Sequence, residues 1–272
     1  MNDLQYRSLP RPSGGLDHGY GPRVHILSEP YPMSMLARLC AETTVQPQVN
    51  DLVGALYDWM LAEVSSALLL TTPVEQPTRM ARYHPAEGVY RGEAIDRGQR
   101  VVVVDIARAG ILPSHRMYHG LHHLIEAENL RQDHIVSSRA TDADQKVIGV
   151  QMDSTKIGGP VGGATVIIPD PMAATGSSIA AVINSYLNLA GGAPRVIAAV
   201  HLIVTPEYIR RMTTAFPALE IFAIRVDRGL SSPEALEARP GDLPDQERGL
   251  NERHYIVPGA GGVGEVLNNA WI

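Results

Sequence analysis

Val166-Ile167-Ile168-Pro169-Asp170-Pro171-Met172-Ala173-Ala174-Thr175-Gly176-Ser177-Ser178 is the stretch that decides the fold. The apolar run over residues 164–168 predicts a buried parallel strand, which ends at an acid between two prolines. From Ile179 onward, apolar residues recur at helical spacing until Gly191-Gly192, which predicts a helix. A small, hydroxyl-rich loop, residues 173–178, therefore joins a strand to a helix.

This order of strand, small loop and helix start predicts an anion-binding site. Free backbone N–H groups and the positive end of the helix point at the loop, and the hydroxyls of Thr175, Ser177 and Ser178 add donors. No lysine follows Gly176, so the loop is not a Walker A motif. Asp170 can accept hydrogen bonds from sugar hydroxyls while the loop binds a phosphate. The alternative is an ordinary strand-turn-helix with a serine-rich cap.

The composition indicates a globular protein and argues against two classes of partner. The chain has 272 residues, 44% of them hydrophobic, which suits one large α/β domain with a full core. A net charge of −6, 5% aromatic residues and the lack of a long basic run argue against a nucleic-acid partner. No apolar run approaches the roughly 20 residues that span a bilayer, so no membrane partner is expected.

The cysteine content and the chain termini bear on location and domain organisation. A single cysteine, Cys40, excludes an internal disulfide and fits a reducing compartment, so we expect a cytoplasmic protein. Residues 1–22 are polar and rich in glycine and proline, unlike a signal peptide, and predict a flexible arm before a domain over residues 23–272. Within that domain, residues 229–248 are acidic, proline-rich and without a period, which predicts a surface insertion with few core contacts.

Apolar runs and helical spacing alternate along the domain. This alternation predicts an α/β fold with a parallel sheet covered by helices on both faces. Residues 71–97 are mixed and loop-rich, and residues 145–156 indicate a hairpin or two short strands. Further strands are expected at 23–27, 101–107, 134–139, 195–204 and 220–226, and helices at 49–70, 113–128 and 206–215.

A cation and a tight turn follow the strand at residues 101–107. Arg108-Ala109-Gly110 lies where that strand ends, and Arg139 ends the strand at 134–139 in a similar way. The carboxyl edge of a parallel sheet is where α/β proteins bind ligands. These arginines are therefore candidate ligand-binding residues.

A histidine stripe and a GxGxxG match do not predict a metal site or a dinucleotide site. His115, His119 and His123 share one helical face, but such a stripe is more typical of a solvated or interface face than of a metal site, and no HExxH pattern accompanies it. Residues 259–264 fit GxGxxG, but Pro258 interrupts the preceding strand and too few residues follow for a dinucleotide fold. These glycines instead let the backbone approach a flat ligand.

The strand-end acid with its small loop resembles the phosphoribosyl-pyrophosphate (PRPP) loop of type I phosphoribosyltransferases. Asp-Pro-Met-x-Ala-Thr-Gly-x-Ser is similar to the variant found in the uracil phosphoribosyltransferase family, with Pro171 where relatives carry a second acid. The resemblance runs from about Arg23 to the C-terminus through segments in the same order: Arg23-Val24-His25, Glu42-Thr43-Thr44, Arg108-Ala109-Gly110, His134-Ile135 with Arg139, Thr205-Pro206-Glu207, Gly249-Leu250-Asn251 and Tyr255-Ile256-Val257-Pro258-Gly259.

This resemblance implies a fold and a reaction. The fold would be α/β and type I phosphoribosyltransferase-like: a central, mostly parallel sheet flanked by helices, with a small C-terminal hood over the site. The reaction would be a Mg²⁺-dependent transfer of ribose 5-phosphate from PRPP to a uracil or uracil-like base, with release of pyrophosphate. Mg²⁺ would be held mainly through PRPP, because a single acid stands at the strand end. The family forms dimers and larger assemblies, which implies a homodimer or higher homo-oligomer.

The resemblance also implies roles for individual residues. The implied catalytic residues, which hold the ribose hydroxyls or stabilise pyrophosphate, are Asp170, Arg108 and Arg139. The implied PRPP-binding residues are Arg108, Ala109, Gly110, Arg139, Asp170, Pro171, Met172, Ala173, Ala174, Thr175, Gly176, Ser177 and Ser178. The implied base-binding residues, acting mostly through the backbone, are Tyr255, Ile256, Gly261, Gly262 and Val263. No protein ligand to a metal is implied.

Several positions depart from the family pattern. The hood of the family carries two acids and an arginine where this chain has Gly262, Glu265 and Val266, and a basic segment near the N-terminus is uncharged here, at Ser34 to Ala37. Two alternatives follow: the same chemistry on a different modified heterocycle, or a PRPP- or nucleotide-sensing regulator of the same fold without turnover. The retained arginines and Asp170 favour an enzyme, whereas the missing acid at Gly262 favours the alternatives.

Overall fold

The computed structural model describes residues 15–141 and 147–270, apart from the side chains of residues 137–141 and 147–152. Strands and helices alternate along this part of the chain. The strands are β1 (Val24–Ile26), β2 (Thr71–Pro77), β3 (Val89–Ile95), β4 (Val101–Ala107), β5 (Leu130–Thr141), β6 (Val147–Lys156), β7 (Thr165–Pro169), β8 (Met172–Ala173), β9 (Val196–Val204) and β10 (Leu219–Val226). The α-helices are α1 (Pro30–Leu39), α2 (Gln48–Leu68), α3 (Ile111–Leu121), α4 (Ser177–Ala190), α5 (Pro206–Ala215), α6 (Pro233–Glu237) and α7 (Val263–Asn268).

One mostly parallel sheet forms the centre of the fold. Its strand order is β1-β10-β9-β7-β4-β5-β6, and β8 pairs with β9 beyond the end of β7. Neighbouring strands pair in parallel except for β5 and β6, which form an antiparallel pair. The mostly parallel sheet expected from the sequence is therefore confirmed. β2 and β3 form a separate antiparallel hairpin in the region expected to be loop-rich.

Helices cover both faces of this sheet, so the central strands are apolar on both sides. In β4, Val101 and Val103 pack against the face covered by α1, α2 and α3. Val102 and Val104 pack on the opposite face, under α4 and α5. Side chains alternate between faces along a strand, and a strand buried on both faces is a continuous apolar run. Because β4, β7 and β9 pair in parallel, their carboxyl ends lie along one edge of the sheet.

Several element boundaries differ from those predicted. Pro30 and Pro32 do not merely end a strand but lie in the first turn of α1, where the missing N–H of proline needs no partner. β5 is longer than the strand expected at 134–139, and residues 147–156 form the single strand β6, paired antiparallel with β5, rather than a hairpin or two short strands of their own. α3 ends at Leu121 rather than near Glu128, and a 3₁₀ turn at Ala127–Asn129 leads into β5.

Residues 15–22 pack against the domain. The N–H of Leu16 donates to the carbonyl of Ile26 at 2.8 Å, and the N–H of Gly19 donates to the carbonyl of Pro240 at 2.7 Å. These residues are mostly exposed, so the flexible arm expected at residues 1–22 stays a prediction. For residues 1–14 the prediction lies outside the described residues.

The segment 229–248 is held by a buried carboxylate. The side chain of Glu247 is fully buried and accepts hydrogen bonds from the Tyr20 hydroxyl at 2.8 Å, from Arg228 Nη1 at 2.9 Å and from the N–H of Gly241 at 2.8 Å. Ala235 of α6 is fully buried as well. Most of the segment is exposed, and none of its residues belongs to either hydrophobic core cluster, so a surface insertion with few core contacts stays the prediction. What the sequence does not indicate is the buried ion pair that joins the end of the segment to its beginning.

Candidate active site

The loop between β7 and α4 lies at the carboxyl edge of the sheet. After Asp170 the chain pairs briefly with β9 through β8, and Gly176 then adopts a left-handed conformation with φ of 75°. A Cβ at Gly176 would lie 3.1–3.3 Å from side-chain atoms of α5, so glycine lets the loop sit directly on that helix. α4 begins at the next residue, Ser177.

The polar groups of this loop remain accessible while its backbone is fixed. Thr175 Oγ1 lies 2.9 Å from Ser177 Oγ, and Thr175, Ser177 and Ser178 are all half-buried. The carbonyl of Ala174 accepts a 2.6 Å hydrogen bond from Thr205 Oγ1, the residue that caps α5. The loop thus combines a rigid backbone with accessible hydroxyls at a helix N-terminus. Within it, Pro171, Ala173 and Gly176 are buried, and Met172 and Ala174 are half-buried.

Asp170 is positioned by a buried histidine behind it. The backbone carbonyl of Asp170 accepts a 2.6 Å hydrogen bond from Nδ1 of His201, which is fully buried in β9. A carbonyl can only accept, so Nδ1 carries the proton, and Nε2 accepts from the Tyr208 hydroxyl at 2.7 Å. The Asp170 carboxylate is half-buried, and its Oδ1 accepts from the N–H of Met172 at 3.2 Å.

The environment of His201 keeps the imidazole neutral. Burial lowers the pKa of His201 to about 4, although the hydrogen bond to the Asp170 carbonyl acts in the opposite direction. Burial also raises the pKa of Tyr208 well above its ordinary value, and the charge of Asp170 adds to that effect. Sequence analysis did not single out His201. Its available signal was a histidine within an otherwise apolar strand.

The Arg108 loop meets the Asp170 loop at the same edge. Arg108 is exposed at the end of β4, and the peptide bond between Ala107 and Arg108 is cis. A Cβ at Gly110 would lie 2.6 Å from the carbonyl oxygen of Ile106 and 3.1 Å from that of Pro169, which precedes Asp170. The missing side chain at Gly110 therefore lets the two loops pack together. Arg139 lies in β5, but the prediction for its side chain falls outside the described residues.

The C-terminal residues 249–264 form a hood that is fixed by two acids. Glu207, in the first turn of α5, accepts hydrogen bonds from the N–H groups of Gly249 at 3.0 Å and Leu250 at 3.3 Å. Asp227 accepts from the N–H of Gly259 at 2.7 Å. The two carboxylates therefore accept hydrogen bonds from backbone N–H groups of the irregular hood.

The hood reaches the Arg108 loop. Leu250 and Ile256 form an antiparallel bridge, which closes the hood into a short loop. A Cβ at Gly264 would lie 3.6 Å from Cβ of Ala109, a van der Waals contact. One edge of the sheet thus carries the hydroxyl-rich loop, Asp170, Arg108 and the hood.

Comparison with known proteins identifies the family. A family model described as uracil phosphoribosyltransferase matches residues 26–247. The chain belongs to the uracil phosphoribosyltransferase family. It is 30% identical over 175 residues to the uracil phosphoribosyltransferase of Thermococcus gammatolerans, an alignment that covers 64% of this chain and 64% of that relative, less than two thirds of its length. The protein of the same name from Dictyoglomus thermophilum is 28% identical over 218 residues, which cover 76% of this chain and 84% of the relative.

A solved structure shares the fold. The AQ2163 protein from Aquifex aeolicus superposes with a TM-score of 0.67 at 21% identity, and the match covers 92% of this chain and 99% of that chain. The type I phosphoribosyltransferase-like α/β fold expected from the sequence is confirmed in its mostly parallel sheet and flanking helices. The family match ends before Gly249, so the hood lies outside the matched residues.

The hood departs from the uracil phosphoribosyltransferase pattern at Gly262, but a carboxylate lies beside it. A Cβ at Gly262 would lie 2.5 Å from Oε2 of Glu265, so that carboxylate occupies the space where a side chain at 262 would begin. Val266, where the resemblance implies an arginine, packs partly buried against the core. A carboxylate therefore lies beside position 262 although Gly262 itself carries none.

The five residues expected to bind the base do not all face one space. Gly261 and Val263 line an apolar cavity of about 300 Å³ between the hood and the turn joining α1 to α2. Gly262 precedes α7, Ile256 packs against the core, and Tyr255 is 56% exposed.

Cys40 also lines this cavity. Its Sγ accepts a 3.7 Å hydrogen bond from Arg225 Nη2, and burial raises the pKa of the Cys40 thiol more than Arg225 lowers it. A neutral thiol therefore faces the cavity.

The GxGxxG match and the histidine stripe lie in two different parts of the structure. Residues 259–264 form a loop and the first turn of a six-residue helix, not the strand-to-helix turn of a dinucleotide fold. The rings of His115, His119 and His123 follow one another at 6.2–6.4 Å along α3 and beyond its end. In the described part of the chain, no helix combines the length and apolar character that crossing a bilayer requires.

Proposed function

We propose that this protein is a phosphoribosyltransferase that transfers ribose 5-phosphate from PRPP to a nitrogen of a uracil-like base and releases pyrophosphate. One observation carries the proposal: the hydroxyl-rich loop before α4, Asp170 and Arg108 lie on one sheet edge, with Gly110 packed against the residue before Asp170. Family membership and the names of the relatives support the same reaction.

The proposed roles follow from charge and position. The loop from Thr175 to Ser178 binds the 5-phosphate, because it offers hydroxyls and helix N–H groups to an anion. Asp170 accepts hydrogen bonds from the ribose hydroxyls. Arg108 and Arg139 neutralise the pyrophosphate as it leaves, while the anomeric carbon gains positive charge. The reaction needs little covalent help, so positioning the two substrates supplies much of the rate.

The residues present fit a Mg²⁺ ion that is held mainly by the donor substrate. Asp170 is the one acid at the end of β7, and its Oδ1 already accepts from a backbone N–H. No group of three potential metal ligands occurs among the described residues. Mg²⁺ would therefore bind mainly through PRPP oxygens and water, where it would screen the charge of the pyrophosphate.

The first experiment tests PRPP chemistry at Asp170. Pyrophosphate release is measured with PRPP, Mg²⁺ and a panel of pyrimidine-like bases. Asp170→Asn should lower kcat/KM by about ten- to a hundredfold, the value of hydrogen bonds to a charged acceptor. Asp245→Asn changes an exposed acid in the 229–248 segment and serves as the matched control. Unchanged kinetics in Asp170→Asn would remove Asp170 from the site.

A second candidate keeps the chemistry but changes the acceptor base. It is favoured by Gly262 and Val266, which replace an acid and an arginine, and by the apolar cavity beside them. We expect tight PRPP binding with poor turnover of uracil, and better turnover of a bulkier or differently substituted ring. Efficient use of uracil by the wild type would refute this candidate. PRPP binding without turnover of any base would instead favour a sensing role.

The structure sharpens the test at Gly262. Gly262→Asp alone would place a second carboxylate next to Glu265, and the two charges would repel. Gly262→Asp is therefore compared with Gly262→Asp combined with Glu265→Gln. Partial recovery of uracil turnover in the double variant would indicate that the acid at 262 is the missing element. No recovery in either variant would assign the change in acceptor to another part of the hood.

A further inference from the structure

A polar cavity of about 320 Å³ opens beside the hydroxyl-rich loop. It lies between that loop, α5 and the start of the hood. The cavity is lined by two arginines, one acid and a histidine together with the loop threonine; these are Arg211, Arg248, Glu207, His254 and Thr175.

The two arginines of this cavity form no ion pair in the described part of the chain. Within the described residues, neither the Arg211 nor the Arg248 guanidinium has a hydrogen-bond or ion-pair partner, and both residues are exposed. Their neighbours differ: Arg210 donates to backbone carbonyls of the 229–248 segment, and Arg228 pairs with buried Glu247. The Glu207 carboxylate is occupied by two backbone N–H groups of the hood.

Both arginines are held close to the loop by their own elements. The Arg211 stem packs against the loop, since a Cβ at Gly176 would lie 3.3 Å from Arg211 Cδ. Arg248 ends the 229–248 segment, where its carbonyl accepts from the N–H of Leu230 at 3.0 Å and its N–H donates to Ser231 Oγ at 2.9 Å. The segment thus closes on itself and leaves the Arg248 side chain at the cavity.

A bound phosphate carries more negative charge than the loop and the helix end can neutralise. The loop from Thr175 to Ser178 offers only neutral donors, and a helix N-terminus contributes roughly half a positive charge. A phosphate monoester carries about −1.5 to −2 at neutral pH. About −1 to −1.5 remains after the helix end is counted, and two guanidinium groups beside the loop more than offset it. Guanidinium donors also suit phosphate oxygens.

We propose that Arg211 and Arg248 bind the 5-phosphate group of PRPP, and of the nucleotide product, from the solvent side of the loop. This inference rests on the proposed function. It gives the 229–248 segment a role: Arg228-Gly229-Leu230 recurs as Arg248-Gly249-Leu250, and the first arginine pairs inward while the second faces the ligand.

The test separates the two ends of the donor substrate. Calorimetric titrations measure the affinities for ribose 5-phosphate and for inorganic pyrophosphate with Mg²⁺, at low and high ionic strength, for Arg211→Gln, Arg248→Gln and the double variant. We expect each single change to weaken ribose 5-phosphate binding about five- to tenfold and to reduce its salt dependence. Pyrophosphate affinity should stay within about twofold of the wild type, because the two arginines are assigned to the other end of PRPP.

Two controls keep the outcomes distinct. Arg79→Gln removes an exposed charge far along the sequence in the 3₁₀ turn between β2 and β3, and should leave ribose 5-phosphate binding unchanged. Arg211→Lys keeps the charge and should recover part of the affinity. Unaltered ribose 5-phosphate binding in the double variant, or an equal loss of pyrophosphate binding, would overturn the assignment. If the wild type binds neither PRPP nor ribose 5-phosphate, the proposed function itself fails.

Discussion

Acid should destabilise this protein through His201, the imidazole behind Asp170. The folded state lowers the pKa of His201 from 6.5 to about 4 because the side chain is fully buried. As the pH falls below 6.5, the unfolded chain binds a proton at this histidine while the folded chain does not. The free energy of unfolding therefore decreases between pH 6.5 and about 4, by about 1.4 kcal/mol per pH unit and about 3 kcal/mol in all.

The assay is urea denaturation at a series of pH values between 7 and 4. Other groups titrate in this range, including His18, whose pKa is also lowered by burial, so the informative quantity is a difference between variants. His201→Gln keeps a polar side chain near Tyr208 but has no titrating group. Between pH 7 and 4, its free energy of unfolding should therefore decrease by about 3 kcal/mol less than that of the wild type. His84→Gln, at an exposed histidine, controls for loss of an imidazole. Parallel curves for the wild type and His201→Gln would refute the reasoning.

Three further substitutions test contacts that hold the fold and the site. Glu247→Ala should lower the free energy of unfolding by about 3–5 kcal/mol, because it leaves Arg228 without its buried partner; a loss below 1 kcal/mol would contradict this. Tyr186→Phe removes the 2.6 Å hydrogen bond to buried Asp133 and should cost about 1.5–3 kcal/mol in the same urea assay, whereas no change would mean that the carboxylate finds another donor. Gly110→Ala should cost about 1–3 kcal/mol and weaken pyrophosphate binding, because its Cβ meets two backbone carbonyls; wild-type pyrophosphate affinity would show that the loop tolerates the shift.

Local patterns allowed the sheet and one part of the site to be predicted. The run from Val101 to Val104 and the stretch from Val166 to Ser178 carry their information within a few residues, so strand, loop and helix start follow from hydrophobicity and turn chemistry. α1 was missed because prolines both end strands and open helices. Nothing in the sequence around Pro30 decides between the two.

Long-range polar contacts could not be predicted. Tyr20 and Glu247 are separated by 227 positions, so an acidic, proline-rich segment gave no sign that its last acid is buried. In the sequence His201 cannot be told from any other core histidine, because its link to the site is a hydrogen bond to the carbonyl of Asp170, 31 residues away. Arg211 lies on α5 beyond the Thr205-Pro206-Glu207 segment and belongs to no motif, and its position beside the loop depends on how α5 packs.

The start of α5 contacts both the hydroxyl-rich loop and the hood. These contacts bear on the order in which the substrates bind. Thr205 holds the carbonyl of Ala174 in the loop, and Glu207 holds the N–H groups of Gly249 and Leu250 in the hood. The loop and the hood therefore both depend on the position of one helix start. We expect the sugar-phosphate donor to bind first and the flat acceptor second, so that the nucleotide product competes with the donor in inhibition kinetics, whereas equal competition with either substrate would indicate a random order.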